Sequence, residues 1–338
     1  MIKPNTEIFK YSFGLFIAFI IGAMFGSEFF NITKNSNNAE ATMLRANNSQ
    51  YSFANPLLAC NSYEKSEYIE FHPLETKIQE FIDKEIKADQ VNTVSVYFRD
   101  LETGRWVGIN ENKQFKPASL LKVPIMMAAF RRADSDSEFL GKKVLYKTPK
   151  SEDIKDGFYK LQNGKYYSIN DLLRAMIIDS DNGAKDQLSE LIGDVPLKEA
   201  FTELGIQLPQ LENQDYEIST KTFSLFFRIL YNATFLNSDS SENALKLLSE
   251  SNFKSGIVAG VPDNIKVAHK FGINGNRGGE ALTDIELHDC GIVYHRPHPY
   301  VLCVMTKGKN TKELTQAISG ISSIAYDTVE KDYYKFDN

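Results

Sequence analysis

Residues 116–127, KPASLLKVPIMM, place a serine and a lysine three positions apart at the start of an otherwise apolar stretch. Positions three apart on a helix lie on the same side, so we predict that Ser119 and Lys122 are within hydrogen-bonding reach. In a partly dry cleft a lysine loses its charge more readily, and the neutral amine can accept a hydroxyl proton. The stretch therefore predicts a nucleophile with its base. The alternative is a capping serine at a helix N-terminus with a lysine that reaches solvent.

The Ser-x-x-Lys pattern also occurs at Ser62 and Ser251, so its position decides its meaning. Only the copy at Ser119 opens an apolar segment with helical periodicity. Pro117 and the strand-like residues before it direct the start of that helix toward a sheet edge. We therefore expect the serine at 119 to face a cleft.

A second polar pattern, Ser180-Asp181-Asn182, follows the apolar helical segment 172–178. In a short loop between two helices, Ser180 can pass a proton to a leaving nitrogen, and Asn182 can hold a substrate amide. The same residue types are typical of a helix-capping turn, which is the alternative interpretation.

A third pattern, Lys270-Phe271-Gly272, lies on a predicted strand of the C-terminal part of the chain. A lysine there can hold a substrate carboxylate, and the glycine lets a ligand lie along the strand edge. The alternative is an edge-strand lysine that discourages aggregation.

The order of predicted elements indicates one sheet built from both ends of the folded part. Between its two halves, residues 119–251 are mostly helical in period. A helical insertion of this kind places a cleft at the seam of two lobes, in an α/β fold of the α+β type. The other predicted elements are a helix over 74–88, strands over 93–98, 106–109, 266–269, 289–294 and 300–306, and a last helix over 312–328.

Composition and charge restrict the possible partners. The 338 residues are 42% hydrophobic with a net charge of −6, which is typical of a globular protein without the basic surface that nucleic acid requires. The five histidines are scattered, and no CxxC or HExxH spacing occurs, so we expect neither a metal site nor a cofactor. We expect a monomer.

The first thirty residues are different in kind. Lys3 and Lys10 precede an uncharged run over residues 11–25, which predicts an export signal, uncleaved and serving as a membrane anchor. The lysines would leave the rest of the chain outside the cytoplasm, or secreted if the signal is cleaved. A buried core helix is the alternative. We therefore divide the chain into an anchor (1–30), an Asn-rich tether (31–67) and a folded domain (68–335), in which an α/β lobe (68–118 and 255–335) encloses a helical lobe (119–254).

Cys290 and Cys303 lie in two apolar segments that flank a turn-like stretch, and Cys60 lies in the predicted tether. In an exported protein Cys290 and Cys303 can pair across a hairpin. Two buried thiols explain the pattern equally well.

Taken in order, the three patterns resemble those of the penicillin-recognising serine hydrolases, within them the class A β-lactamase-like branch. The resemblance runs from Leu74 to Val329 and includes the longer stretches PASLLKVPIMMAAF, MIIDSDNGAKDQL, GIVAGVPDNIKVAHKFG, HDCGIVY and YVLCVMTKG. It implies a β-lactamase/D,D-peptidase-like fold, in which helices flank an antiparallel sheet and an all-helical lobe is inserted. The implied partner is a small-molecule β-lactam or a peptidoglycan stem peptide.

The resemblance also implies a role for each residue of the three patterns. Ser119 would be the acylated nucleophile, Lys122 its base and Ser180 the proton relay. Asn182 would hold the substrate amide, and Lys270 would set the electrostatics and help to bind a carboxylate. The oxyanion would lie between the N–H groups of Ser119 and Ile273. Phe271 and Gly272, on the same strand as Ile273, would help to bind the substrate.

Two departures from the family pattern change the expected chemistry. Phe271 stands where the family carries a hydroxyl, so a carboxylate loses a hydrogen bond. The segment 206–218 is too short for the usual loop that carries the deacylating glutamate. Glu212, with Asn213 beside it, is the plausible stand-in, and Asp215 and Glu217 are others.

Three functions follow from these patterns. The first is a hydrolase that opens a β-lactam or a related acyl-amide through acyl-Ser119. The second is a D,D-peptidase-type enzyme or a β-lactam sensor with slow deacylation. The third is a non-catalytic binding module at the cell surface, which is disfavoured by the presence of all four of Ser119, Lys122, Ser180 and Lys270.

Overall fold

The computed structural model describes residues 52–54, 71–147, 161–208, 216–275 and 285–336, with side chains up to residue 331. The helices are α1 (His72–Lys87), α2 (Lys122–Ser135), α3 (Ile169–Ile178), α4 (Asn182–Ile192), α5 (Asp194–Thr202), α6 (Thr220–Tyr231), α7 (Ser238–Ser249) and α8 (Thr311–Phe336). The strands are β1 (Thr93–Asp100), β2 (Trp106–Ile109), β3 (Gln114–Phe115), β4 (Lys143–Leu145), β5 (Tyr166–Ser168), β6 (Ile218–Ser219), β7 (Val267–Gly275), β8 (Ile285–Val293) and β9 (Tyr300–Gly308).

A five-stranded sheet combines strands from both ends of the chain in the order β2-β1-β9-β8-β7. Every neighbouring pair is antiparallel. The central strand β9 is buried along almost its whole length, as expected for a strand covered on both faces. The predicted sheet and helical insertion are therefore confirmed, and the architecture is mixed α/β of the α+β type.

Helices cover both faces of the sheet and create two cores. On one face α1 and α8 pack their apolar stripes, and α1 buries Leu74, Ile78 and Ile82 at the four-residue spacing of a helix. On the other face lies the helical insertion, where α6 buries Phe223, Phe226 and Phe227. The seam between the insertion and the sheet is the place where the three sequence patterns meet.

Two strand boundaries differ by several residues from the sequence predictions. The strand predicted over 266–269 continues to Gly275, and the one predicted over 289–294 begins at Ile285. Polar residues and glycine interrupt the apolar runs there, while cross-strand pairing, which a local pattern does not show, continues through them. Lys270, Phe271 and Gly272 therefore lie in the middle of edge strand β7, as predicted for the third pattern.

The two cysteines of the C-terminal hairpin form a disulfide. Cys290 and Cys303 lie directly opposite each other on β8 and β9, with their Cα atoms 4.0 Å apart. Of the two interpretations that the sequence left open, the structure has the cross-strand pair. Cys60 lies outside the described residues.

Residues 52–54, within the predicted tether, contact the folded domain. The Glu242 carboxylate accepts hydrogen bonds from the N–H groups of Ser52, Phe53 and Ala54, at 2.7, 2.6 and 2.8 Å. The Phe53 ring also packs edge-on against Tyr294, with centroids 5.1 Å apart. These three residues are therefore held by α7 and by the residue that follows β8.

No helix among the described residues is long and apolar enough to cross a membrane. The apolar run over residues 11–25 lies outside that part of the chain. The membrane anchor therefore stays a prediction.

Candidate active site

The nucleophile candidate lies on a short 3-10 helix, Ala118–Leu121, and α2 begins only at Lys122. The sequence prediction that Ser119 opens the α-helix is wrong in this detail. Ala118 has a left-handed φ of 49°, an uncommon conformation for a residue with a side chain, and the chain tightens there before it enters α2. Ser119 is half-buried at this turn and faces the seam between the lobes.

Lys122 joins the first two patterns. Its Nζ lies 3.1 Å from Ser119 Oγ and 3.1 Å from Ser180 Oγ. Two shorter contacts join Nζ to the Ser180 carbonyl at 2.6 Å and to Asn182 Oδ1 at 2.7 Å. A carbonyl and an amide oxygen accept only, so the two N–H groups of a neutral amine satisfy them. The lone pair of that amine then remains for a serine hydroxyl.

The surroundings of Lys122 favour the neutral amine. Its side chain is 1% exposed. Burial, and then the positive charge of Lys185, lower the pKa of Lys122 to about 7, against the opposing charges of Asp181 and Asp186. About half of the molecules therefore carry a neutral Lys122 near neutral pH. The alternative of a lysine that reaches solvent is wrong.

Ser180 bridges the two lysines of the site. It lies between α3 and α4 with a left-handed φ of 56°. Its Oγ is 3.1 Å from Lys122 Nζ and 3.0 Å from Lys270 Nζ. The neighbouring Asp181 is the helix cap, because its carboxylate accepts from the Ala184 N–H at 2.8 Å. Capping and site formation are thus divided between adjacent residues of one turn.

Lys270 approaches Ser180 from the sheet. Its side chain is completely buried, which rules out the solvent-facing edge lysine that the sequence left possible. Burial, followed by the charge of Lys122, holds the pKa of Lys270 well below its ordinary value, while the charge of Asp289 raises it. The ammonium also donates to the carbonyl of Phe271 at 3.1 Å.

The Phe271 ring lies beside that ammonium. Lys270 Nζ is 4.2 Å from the ring centroid, a cation–π distance. The other neighbour is Phe253, whose ring stacks on Phe271 with centroids 4.2 Å apart and planes 19° apart. The side of the site next to Lys270 is therefore aromatic. The family pattern described above carries a hydroxyl at the position of Phe271.

Gly272 lets strand β7 approach the nucleophile turn. A Cβ atom at this position would lie 2.7 Å from the Pro117 carbonyl oxygen and 3.2 Å from the Leu120 nitrogen. The next residue, Ile273, is 45% exposed. β7 therefore borders the same turn that carries Ser119, and the oxyanion position between the Ser119 and Ile273 N–H groups stays a prediction.

Sequence reasoning missed His288, which ties the turn to the sheet. Burial lowers the pKa of His288 to about 4, so its ring is neutral near pH 7. Nε2–H donates to the Lys116 carbonyl at 3.0 Å, and Nδ1 accepts from the Thr306 N–H at 3.3 Å. His288 lies between Leu287 and Asp289 on β8, and its partner Lys116 is 172 residues away.

A buried His–Asp pair lies on the strands behind Lys270 and was also missed. His269 Nδ1 is 2.8 Å from Asp289 Oδ1, and both side chains are fully buried. Asp289 also accepts from the Ile257 N–H at 2.9 Å. The pair places a charged group close enough to influence Lys270.

Two sequence predictions remain, one on a deacylating carboxylate and one on a metal site. Glu212, the predicted stand-in for a deacylating carboxylate, lies outside the described residues. Across the described ranges, the histidine, cysteine and acidic side chains form no cluster of three that could hold a metal ion.

Comparison with known proteins gives a family match and several fold matches. The sequence matches the beta-lactamase enzyme family over residues 73–329. No curated protein matches the sequence. The solved structures described next are 18–21% identical to this chain, so the likeness to them shows its fold and no more.

Three solved structures illustrate this likeness. PBP-A, also solved as a mutant in an acyl-enzyme complex with penicillin G, is 21% identical with a TM-score of 0.64, over 77% of this chain and 97% of that chain. A β-lactamase from Chitinophaga pinensis DSM 2588 is 19% identical with a TM-score of 0.65, over 76% of this chain and 100% of that chain. The TLA-1 extended-spectrum β-lactamase is 18% identical with a TM-score of 0.64, over 76% of this chain and 98% of that chain.

Proposed function

Since this chain belongs to the beta-lactamase enzyme family, we propose that it is an exported serine hydrolase that opens a β-lactam or a related acyl-amide through an acyl-Ser119 intermediate. One observation carries the proposal. Lys122 Nζ contacts Ser119 Oγ and Ser180 Oγ, and Ser180 Oγ contacts Lys270 Nζ, all at 3.0–3.1 Å. This contact chain links a nucleophile, its base and a proton path to the leaving nitrogen.

Acylation begins at the pair Ser119 and Lys122. The neutral Lys122 amine takes the hydroxyl proton as Ser119 Oγ attacks the carbonyl carbon of the amide. Negative charge develops on the carbonyl oxygen and is stabilised by backbone N–H groups at the border between the nucleophile turn and β7. The new C–O bond leaves the acyl group on Ser119.

The amide C–N bond then breaks, and its nitrogen needs a proton. Ser180 is placed for this step, because its hydroxyl donates to the nitrogen while Lys122, now protonated, returns a proton to it. Lys270 contacts the same hydroxyl from the other side, with its Nζ 3.0 Å from Ser180 Oγ. Both lysines are buried beneath the half-buried serines, so the substrate meets the hydroxyl groups first.

Release of the acyl group requires an activated water. Within the described residues, no carboxylate forms a hydrogen bond to Ser119 or Lys122. The segment 206–218, which is too short for the usual loop with a deacylating glutamate, favours a second candidate function, a penicillin-binding D,D-peptidase-type enzyme or β-lactam sensor in which acyl-Ser119 forms and is slowly released. Lys122 remains the base for the first step in both cases.

The chain's N-terminal sequence supports a position in the cell envelope. The apolar run over residues 11–25, behind Lys3 and Lys10, is the basis for an anchor with the hydrolase outside the cytoplasm. A peptidoglycan stem peptide is the amide substrate available there. A fusion of residues 1–40 to a reporter that is active only outside the cytoplasm tests this part, and an inactive reporter would refute it.

Intact-mass spectrometry of the purified full-length protein with benzylpenicillin, followed over hours, tests the proposal. We expect an adduct of the mass of the intact drug. Its clearance with accumulation of hydrolysed drug identifies a β-lactamase, whereas its persistence identifies the penicillin-binding function.

Two variants make the test specific. Ser119→Ala should form no adduct. Ser251→Ala, which removes the serine of another Ser-x-x-Lys copy, should react like the wild type. An adduct on Ser119→Ala would refute the mechanism.

A further inference from the structure

Helix α6 lies along strand β1, and two side-chain contacts fix their alignment. Near the start of both elements, Ser95 Oγ and Thr220 Oγ1 are 2.8 Å apart. Near their ends, Tyr231 donates to Glu102 Oε1 at 2.8 Å. Helix and strand therefore run in the same direction with their faces in contact.

This alignment brings two arginines together. Arg99 shares the Ser95 face of β1 and lies four residues further along, about 13 Å at the rise of a strand. Arg228 lies eight residues after Thr220, about 12 Å at the rise of a helix. The two side chains therefore leave their backbones at the same level of the interface. Consistent with this proximity, burial and then the charge of Arg99 lower the pKa of Arg228 to about 10.

Neither guanidinium has a hydrogen-bond or ion-pair partner among the residues that the structure describes. Both side chains are half-buried, so neither is fully solvated. The carboxylates at this edge of the sheet have other partners: Glu102 accepts from Tyr231, and Glu111 is 3.8 Å from Lys221. Two like charges held together without an acceptor are costly for the fold unless an anion joins them.

A third cation and the tryptophan complete the cluster. Lys221 precedes Arg228 by two helical turns on the same side of α6, and its Nζ lies 4.1 Å from the centroid of the Trp106 ring. Trp106 is paired directly opposite Arg99 in the β1–β2 ladder. Tyr97 stacks on the indole, with centroids 5.6 Å apart.

We propose that Arg99, Arg228 and Lys221 form a binding site for an oxyanion, the carboxylate or phosphate group of a ligand. A planar guanidinium matches such a group with two parallel hydrogen bonds, and two of them can clamp one anion from both sides. The site lies at the β2 edge of the sheet, whereas Lys270 lies on β7 at the opposite edge. It is therefore separate from the proposed acyl-transfer site and does not depend on it.

Trp106 is the only tryptophan of the chain and serves as a reporter. We would titrate the purified full-length protein with pyrophosphate, inorganic phosphate and citrate, each against sodium chloride at equal ionic strength, and follow tryptophan fluorescence. A saturable change with a polyvalent anion but not with chloride is expected. A stronger response to pyrophosphate indicates a phosphate ligand, and a stronger response to citrate indicates a carboxylate.

Variants assign the response to the cluster. Arg99→Gln and Arg228→Gln should each weaken binding about ten-fold or more, because each removes hydrogen bonds to a charged group. Arg228→Lys keeps the positive charge but loses the paired N–H donors of the guanidinium, so it should also weaken anion binding. Arg174→Gln is the matched control, since that arginine is half exposed and paired with Glu250 at 2.7 Å, and should leave binding unchanged.

Thermal unfolding gives a second readout that does not depend on the fluorophore. In dilute buffer without polyvalent anions, Arg228→Gln should unfold at the same temperature as the wild type or higher, because it relieves repulsion. With the bound anion the wild type should become the more stable of the two. The proposal is overturned if wild type and Arg228→Gln respond equally to the polyvalent anions. It is also overturned if, in both fluorescence and thermal unfolding, the polyvalent anions have the same effect on the wild type as chloride.

Discussion

A change in pH from 6 to 8 perturbs Lys122 directly. Burial, with a smaller contribution from the charge of Lys185, lowers the pKa of Lys122 to about 7. A group with this pKa is about one-tenth neutral at pH 6 and about nine-tenths neutral at pH 8. Only the neutral amine can take the Ser119 proton. The acylation rate should therefore rise about ten-fold over this range, with its midpoint near pH 7.

The assay is the first-order rate of adduct formation with excess benzylpenicillin, quenched and read by mass at constant ionic strength. Replacing Lys185 with Gln removes a positive charge that lowers the pKa of Lys122, so the midpoint should move to higher pH. Because the Lys185 side chain is 37% exposed, solvent screens its charge and the movement should be small. Lys87→Gln, at the end of α1, is a control that should leave the midpoint in place.

A rate that is unchanged between pH 6 and 8 would refute the assignment of Lys122 as the base. A midpoint near the ordinary value of a lysine would refute it as well. Lys270, whose pKa burial also holds well below its ordinary value, contacts Ser180 and not Ser119, so Lys122 is the group assigned to the midpoint near pH 7.

Three further variants test separate parts of the account. Phe271→Thr removes the ring beside the Lys270 ammonium and adds a hydroxyl, so the second-order rate of acylation by benzylpenicillin should increase about ten-fold or more. Gly272→Ala puts a Cβ 2.7 Å from the Pro117 carbonyl, which should push β7 from the nucleophile turn and slow acylation about ten-fold or more. Glu242→Ala deprives three backbone N–H groups of their acceptor, and urea unfolding should show a loss of about 1–3 kcal/mol.

Each variant has an outcome that contradicts its reasoning. Slower acylation in Phe271→Thr would show that the ring serves the substrate, with Phe271→Leu separating loss of the ring from gain of the hydroxyl. An unchanged rate in Gly272→Ala would show that the close approach is unimportant. Equal stability of Glu242→Ala and the wild type would mean that residues 52–54 do not contribute to the fold.

The sequence predicted the parts of the fold that depend on local patterns. Alternating and helical periodicities indicated strands from both ends of the folded part around a helical insertion. Ser119 and Lys122 are within hydrogen-bonding distance, as predicted, although Ser119 lies on a 3-10 helix instead of an α-helix. A local pattern did not place the boundaries of β7, because pairing with β8 continues it through Phe271 and Gly272.

Contacts between distant segments stayed hidden in the sequence. His288 and Lys116 are 172 residues apart, and Glu242 binds a segment about as far away. The replacement of a hydroxyl by Phe271 was visible, but its stacking on Phe253 and its distance to Lys270 depend on the packing of β7. The arginine pair was likewise invisible, since Arg99 and Arg228 become neighbours only through the alignment of α6 with β1.

Peptide mapping of the penicillin adduct tests the central claim most directly. Trypsin cleavage after Lys113 and Lys122, with the Lys116–Pro117 bond resistant, isolates residues 114–122 with Ser119 as the single hydroxyl. The account predicts that this peptide gains the mass of the drug and that its fragment ions place the gain on Ser119. A gain on the peptide that carries Ser180, or an adduct that persists in Ser119→Ala, would contradict it.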